Sequence, residues 1–124
     1  MIIYIYGLKK KKVNTMSKVQ WTNEQALAIS LENQNIMVSA GAGSGKTAVL
    51  TTRIVQKLKK GIHAQQLLVL TFTNAAAAEM KNRVLQKMKE EPDLKNRVHE
   101  IEQAYITTFD SFALSIVKKY HYLL

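Results

Sequence analysis

Residues 40–47 carry the strongest chemical signal in the sequence, a glycine-rich run that reads Ala-Gly-Ala-Gly-Ser-Gly-Lys-Thr. The glycines allow backbone N–H groups to approach phosphate oxygens more closely than a Cβ would permit. Lys46 can then reach the β- and γ-phosphates of a nucleotide, and the Thr47 hydroxyl can ligate Mg²⁺. A glycine-rich turn without a ligand is the competing interpretation. The run predicts a site for ATP and Mg²⁺ with Lys46 and Thr47 as catalytic residues, in a cradle formed by Ala40, Gly41, Ala42, Gly43, Ser44, Gly45, Lys46, Thr47 and Ala48.

The elements on either side place this run between a strand and a helix. The apolar residues 36–39 predict a short buried strand. Apolar residues at helical spacing predict a helix over 46–60, which ends at Gly61. A triphosphate requires this order, because the helix N-terminus adds the positive end of its dipole to the backbone N–H groups of the turn.

The rest of the chain continues the alternation of helices and strands. Thr22, with Gln25 three residues later, forms a capping box that predicts a helix through Leu31. The other predicted elements are strands at 67–72 and 105–109, helices at 74–89 and 94–103, and a last helix capped by Asp110 or Ser111. This order indicates an α/β fold, in which a parallel sheet has helices on both faces. Because three strands are few for such a sheet, we expect the front part of a larger RecA-like P-loop NTPase domain.

The composition is that of a basic globular protein. The 124 residues include 18 Lys and Arg against 9 Asp and Glu, a formal net charge of +9. A charge of this sign attracts polyanions, nucleic acid first among them; a solvated cationic surface without a partner is the alternative. Cys is absent, which excludes disulfides and thiolate metal ligands and favours a reducing, cytoplasmic location.

Residues 1–16 are predicted to be a poorly ordered leader, ahead of an ATP-binding segment in residues 17–124. The apolar residues 1–8 are too few to span a membrane, which takes about 20 residues. The basic run Lys9–Lys12 follows them, whereas a secretory signal has its positive charges first. Met16 is an alternative start, and no membrane partner is predicted.

Three further segments resemble motifs of the superfamily 1 DNA helicases of the UvrD/RecB-like type. Residues 21–25 resemble the Q motif, residues 70–80 resemble motif Ia, and residues 107–112 lie where motif Ib belongs. Ala40, where most phosphate loops have Gly, also occurs in a subset of motor ATPases. The run of alanines after Asn74 resembles the AddA/RecB-like branch more than the UvrD/Rep repair helicases.

The resemblance implies roles for particular side chains. Gln25 would read the adenine edge with its amide, which donates and accepts at once. Motifs Ia and Ib would line a groove for single-stranded DNA. Phe72 would stack on a base there, unless it is a buried residue at a strand end. The implied DNA contacts are Phe72, Thr73, Asn74, Ser111 and Phe112.

Asp110 departs from the family, which commonly has His at this place. A carboxylate would repel a DNA phosphate, so we expect Asp110 to cap a helix N-terminus instead. A Walker B aspartate is the competing interpretation, which the threonines at 107 and 108 disfavour.

The activity implied by the resemblance is ATP-driven translocation on single-stranded DNA by one subunit of a helicase/nuclease in double-strand-break repair. Its partners would be DNA ends and an AddB-like second subunit. No D-E-x-[QH] run follows the phosphate loop, so the chain alone is expected to turn ATP over poorly or not at all. A segment of a UvrD/Rep-type helicase is one alternative. A stand-alone nucleotide- or DNA-binding module from a truncated gene is another.

Overall fold

A computed structural model describes residues 3–5 (backbone only), 20–38 and 45–123. The chain divides into two compact units, Met1–Gln56 and Lys57–Leu124. Of the predicted leader only residues 3–5 are described, and they form a strand that the sequence did not indicate. The rest of the prediction about the leader, including its basic run, falls outside the described residues.

The first unit joins a short helix to a two-stranded sheet. Helix α1 (Asn23–Ser30) begins after Thr22 and ends at Leu31, as the capping box predicts. Strand β2 (Ile36–Val38) pairs antiparallel with strand β1 (Ile3–Ile5). A turn precedes β2, in which Asn33 has a φ of 57°, a conformation that Asn tolerates better than most residues.

Helix α2 (Lys46–Lys59) packs against α1 in this unit. Their contact buries Ala28, Ile29 and Val49, with Trp21 and Val38 packed alongside. The Arg53 guanidinium also donates to the carbonyl oxygens of Ala28, at 2.8 Å, and Ile29. These carbonyls lie near the end of α1, where helical partners run out, so Arg53 ties the two helices together. Burial lowers the pKa of Arg53, against the opposing charge of Glu32.

Helix α2 ends as the sequence predicts, at a glycine. Gly61 has a φ of +95°, and its N–H donates to the Leu58 carbonyl at 3.1 Å. The Ile62 N–H reaches back to the Lys57 carbonyl at 3.2 Å. These two bonds form a Schellman motif, which satisfies carbonyls left over at a helix C-terminus.

The second unit is built on a parallel pair of strands. Strand β3 (Leu68–Thr71) and strand β4 (Tyr105–Thr108) pair in register from their first residues to their last. Between them lie helix α3 (Asn74–Glu90) and a 3₁₀ segment (Lys95–Gln103) where the sequence predicts an α-helix. Helix α4 (Phe109–Tyr120) follows β4 directly, and shorter 3₁₀ turns occupy Ala64–Gln66 and His121–Leu123.

The core of this unit is apolar and gathers around α3. Met80 and Met88, predicted as core residues, are both buried. Arg97 of the 3₁₀ segment lies beside this core and donates to the Leu58 and Ile62 carbonyls, at 2.7 and 2.8 Å. The buried apolar side chains of the unit are Leu58, Ala64, Val69, Ala77, Met80, Val84, Met88, Leu94 and Ile101.

The structure differs from the predicted sheet in two respects. Among the described residues, β2 pairs with β1 rather than extending the parallel pair. The apolar run at 67–72 predicts a strand covered on both faces, yet Leu68 is 48% exposed and only Val69 of β3 is buried. The fold is a mixed α/β arrangement that contains a parallel pair of strands.

Helix α4 also differs from expectation. Its apolar spacing predicts a buried face, but none of its residues is buried. Exposed apolar side chains on it include Leu114, Ile116 and Val117. Within the described ranges, no helix is both long and apolar enough to cross a membrane.

Candidate functional site

The N-terminus of α1 fixes the orientation of the Gln25 side chain. The Gln25 backbone N–H donates to the Thr22 hydroxyl oxygen at 3.2 Å, and the Thr22 N–H donates to Gln25 Oε1 at 2.9 Å. This reciprocal pair is the predicted capping box. Because Oε1 accepts from the backbone, the amide NH₂ is directed to the other side, where it can donate.

The amide nitrogen of Gln25 lies against Gly45. Gly45 has a φ of +82°, a conformation in which a side chain is strained. A Cβ built on it would lie 3.3 Å from Gln25 Nε2. Glycine therefore lets two segments approach, the start of α1 and the end of the predicted phosphate loop.

Helix α2 begins directly after this glycine. Lys46 and Thr47 are its first two residues and are half-buried, as is Ala48. The Val49 N–H donates to the Gly45 carbonyl at 3.0 Å, which closes the first turn. No acidic residue stands in this turn, so the positive end of the helix dipole is not neutralised by its own side chains.

A second hydroxyl lies on the same turn. Thr51 is buried, and its Oγ1 donates to the Thr47 carbonyl at 2.7 Å. This bond occupies the Thr47 carbonyl and does not involve its hydroxyl. The other predicted cradle residues lie outside the described part of the chain: Ala40, Gly41, Ala42, Gly43 and Ser44. Their roles stay predictions.

In the second unit, two phenylalanines meet at the carboxyl edge of the parallel strands. Thr71 and Thr108 are paired in the register, so Phe72 and Phe109, which follow them, leave the sheet side by side. Their ring centroids are 5.8 Å apart with planes inclined at 35°. Phe72 is 78% exposed and Phe109 52% exposed. The interpretation of Phe72 as a buried strand-end residue is therefore wrong.

Thr73 and Asn74 stand at the start of α3, next to Phe72. Thr73 is the N-cap, and its hydroxyl oxygen accepts from the Ala76 N–H at 3.1 Å. The Thr71 hydroxyl donates to the Thr73 carbonyl at 3.0 Å. Both Thr73 and Asn74 are exposed, and these bonds hold them at the same edge as the two rings.

The start of α4 corrects the predicted cap. Thr108, not Asp110 or Ser111, is the N-cap, and its hydroxyl oxygen accepts from the Ser111 N–H at 3.2 Å. The Thr108 and Ser111 hydroxyls are also bonded, at 2.9 Å. Asp110 lies in the first turn, exposed. There its charge stabilises the helix through the dipole instead of through a cap.

Phe112 lies elsewhere than Phe72. Its ring meets that of Tyr105, edge to face, with centroids 6.1 Å apart. Tyr105 is the first residue of β4, so α4 folds back along the strand and carries Phe112 toward the amino end. Of the predicted DNA contacts, the structure brings Phe72, Thr73 and Asn74 to one edge, with Ser111 nearby, and places Phe112 apart from them.

Phe109 is the residue at this edge that the sequence did not single out. The sequence predicts it as the end of the strand, whereas it begins the helix. A usable signal was present: residues that follow paired parallel strands emerge together, and Phe72 and Phe109 each follow a threonine at that point.

A profile of the UvrD/REP helicase N-terminal domain matches residues 21–124. The chain belongs to this family. The matched stretch begins at Trp21, within the segment that resembles the Q motif, and includes every predicted site residue.

Curated relatives of this UvrD/REP-family chain share one name, which describes the AddA subunit of an ATP-dependent helicase/nuclease. The protein from Desulforudis audaxviator is 42% identical over 119 residues, which covers 88% of this chain and 10% of the relative. That from Listeria monocytogenes serotype 4b is 46% identical over 112 residues, 82% of this chain and 9% of the relative. That from Geobacillus thermodenitrificans is 45% identical over 117 residues, 85% and 9%. The chain spans about a tenth of the length of these relatives.

The remaining charged residues of this helicase-family chain have ordinary structural roles. Glu79 pairs with Arg83 one turn later, at 2.6 Å, as the sequence predicts. Within the described residues, no three His, Cys, Asp or Glu side chains group as a metal would require. The two candidate sites are thus the start of α2 with Gln25, and the edge that carries Phe72 and Phe109.

Proposed function

We propose that this chain is the ATP-binding segment of a helicase/nuclease that moves along single-stranded DNA in the repair of double-strand breaks. Its phosphate loop and Gln25 hold Mg-ATP, in the front part of a RecA-like domain. Its partners are DNA ends and an AddB-like second subunit, in the cytoplasm. The family match and the shared name of the relatives support this proposal over a UvrD/Rep-type repair helicase or a stand-alone module.

One observation carries the nucleotide part of the proposal: the amide of Gln25 lies against Gly45, the last glycine of the loop. A base-reading amide and a phosphate cradle must be neighbours if one nucleotide is to touch both. The described residues also fit a triphosphate, because Gly45 is followed at once by the helix N-terminus, Lys46 and Thr47. Mg²⁺ would be held by the Thr47 hydroxyl and the phosphates, and would help to neutralise their charge.

The DNA part rests on the exposed edge that carries Phe72. An exposed aromatic ring offers a face on which bases of any sequence can stack. Thr73, Asn74 and Ser111 add polar groups for phosphate or sugar, and the net charge of +9 favours a polyanion. Phe112 stays a proposed contact of this groove, although its ring packs on Tyr105.

Nucleotide binding is tested by titrating the purified chain with a fluorescent ATP analogue in Mg²⁺. We expect Lys46→Ala to weaken binding at least about 10-fold, because it removes a charge-assisted contact to the terminal phosphates. Lys89→Ala, at an exposed lysine in the last turn of α3, is the matched control and should bind as the parent chain does. Equal affinities for the two variants would refute the role of Lys46.

The same titration separates the base from the phosphates. ATP and inorganic triphosphate should compete for one site, and only ATP binding should respond to substitution of Gln25. Hydrolysis by the chain alone should stay close to background even with saturating oligonucleotide, because no acidic Walker B motif is present to support it. Rapid turnover would contradict the proposal that this segment needs further parts.

A further inference from the structure

The aromatic edge contains a second ring whose role nothing in the sequence assigned. Phe109 contacts Phe72 at 5.8 Å between centroids and still exposes 52% of its surface. Two exposed phenylalanines in contact are a poor arrangement for a surface that only meets water, because apolar area gains most when it is covered. Yet each ring leaves a large part of its area open to a ligand.

The other ring pair of this unit provides the contrast. Tyr105 and Phe112 also touch, but Phe112 is half-buried along the helix–strand contact. That pair packs α4 against β4. Phe72 and Phe109 lie beyond the ends of both strands, so their contact adds little to the core and instead fixes the two rings relative to each other.

The flanking bonds make this placement rigid. Phe72 stands between the last residue of β3 and the N-cap Thr73, whereas Phe109 follows the N-cap Thr108 directly. Both caps are closed by hydroxyl-to-backbone bonds of 3.1 and 3.2 Å. A ring attached to a capped helix start cannot swing away without breaking the cap, so the backbone of the pair is set before a ligand arrives.

We propose that Phe109 is a second base-contacting residue, which together with Phe72 forms one platform for the bases of single-stranded DNA. This proposal rests on the proposed function of the Phe72 edge and adds the residue that completes it. Stacking on π faces is tolerant of sequence, so the platform takes any base and prefers none by hydrogen bonding. Because the rings touch, the loss of either also loosens the other.

The test measures binding of the full chain to a fluorescein-labelled oligo(dT) strand by anisotropy. Phe72→Ala and Phe109→Ala should each weaken binding by about 5-fold to 150-fold, the range observed for a lost base–aromatic stack. The double variant should lose less than the product of the two factors, because the rings act as a unit. Leu114→Ala, at an exposed apolar residue of α4, is the matched control and should leave binding unchanged.

Two further measurements separate stacking from a merely structural role. Phe109→Trp should retain binding and Phe109→Leu should lose it, since leucine keeps apolar volume without a π face. On a strand of abasic sites, which keeps the phosphates, Phe109→Ala should bind as the parent chain does. Equal losses on the oligo(dT) and abasic strands, or a Phe109→Leu variant that binds normally, would overturn the proposal.

The outcomes distinguish this inference from the proposed function. If the parent chain binds oligo(dT) and Phe72→Ala weakens it while Phe109→Ala does not, the platform is wrong and the DNA role of Phe72 stands. If the parent chain binds neither strand above a neutral polymer control, the DNA part of the proposed function fails, and the platform fails with it.

Discussion

The side-chain amide of Gln25 and the backbone of Gly45 are in contact: a Cβ on Gly45 would lie 3.3 Å from Gln25 Nε2. On its other side, the same amide accepts the Thr22 N–H at 2.9 Å. Gln25 therefore has two separable tasks, to cap α1 through its oxygen and to face the phosphate loop through its nitrogen. Each task can be removed without the other.

Gln25→Glu is expected to keep the cap and lose nucleotide recognition. A carboxylate oxygen still accepts from Thr22, because Glu serves in capping boxes as well as Gln does, but it has no N–H to donate. The free energy of unfolding should change by less than about 0.5 kcal/mol, while ATP binding falls. Gln25→Ala should lower both. An unaltered ATP affinity in Gln25→Glu would assign Gln25 to the cap alone.

Gly45→Ala is expected to impair both folding and nucleotide binding. The residue would be held at a φ of +82° and would press a methyl group against Gln25. Gly61→Ala is the matched control, since Gly61 also has a positive φ but a Cβ there meets nothing within 4 Å. Each should destabilise by about 1–2 kcal/mol for the left-handed conformation, measured by urea unfolding, and only Gly45→Ala should reduce ATP affinity.

Local signals in the sequence predicted the first unit well. The capping box at Thr22 and Gln25 and the glycine at 61 fixed helix ends, because both act through bonds between near neighbours in the chain. Strand β1 escaped prediction, because its pairing with β2 joins residues more than 30 positions apart. No local pattern records such a pairing.

The second unit was predicted less completely for a related reason. Thr108 was not recognised as a cap because the residues around it suit a strand equally well, and strand and helix meet there without a loop. That error hid Phe109. The predicted Phe72 and the missed Phe109 are 37 positions apart in sequence, and only the parallel register brings them together.

Acid is expected to destabilise the second unit through Glu100. Its carboxylate bonds the Arg97 guanidinium, at 2.7 Å, and the Ala64 N–H, at 3.2 Å. The Arg97 guanidinium in particular lowers the pKa of Glu100 to about 2, against desolvation, which raises it. A depressed pKa stabilises the fold above the unfolded value of 4.5, and this contribution is lost as pH falls toward 2.

Urea unfolding between pH 2 and pH 7 measures this effect. Glu100→Gln should lower the free energy of unfolding by about 1–2 kcal/mol at pH 7 and flatten its fall below pH 5. Glu102→Gln, whose partner is Lys81 and whose side chain is 76% exposed, should change it by less than about 0.5 kcal/mol. The same acid limb in Glu100→Gln as in the parent chain would show that another carboxylate is responsible.

Asp110→Asn is expected to reduce stability and strengthen DNA binding. Asp110 is exposed in the first turn of α4, next to Phe109. Its charge favours the helix through the dipole by about 0.3–1 kcal/mol, but it repels a phosphate at the same edge. Neutralising it should raise oligo(dT) affinity by up to about 5-fold at low salt, with little gain at high salt because the repulsion is screened.

The matched control is Asp93→Asn, which makes the same charge change at another exposed position. It should leave oligo(dT) affinity within the small effect of net charge alone. The two variants together decide between the interpretations of Asp110. If Asp110→Asn instead abolishes Mg²⁺-dependent nucleotide binding and leaves DNA binding unaltered, the carboxylate serves the metal as a Walker B aspartate would, and the repulsion argument fails.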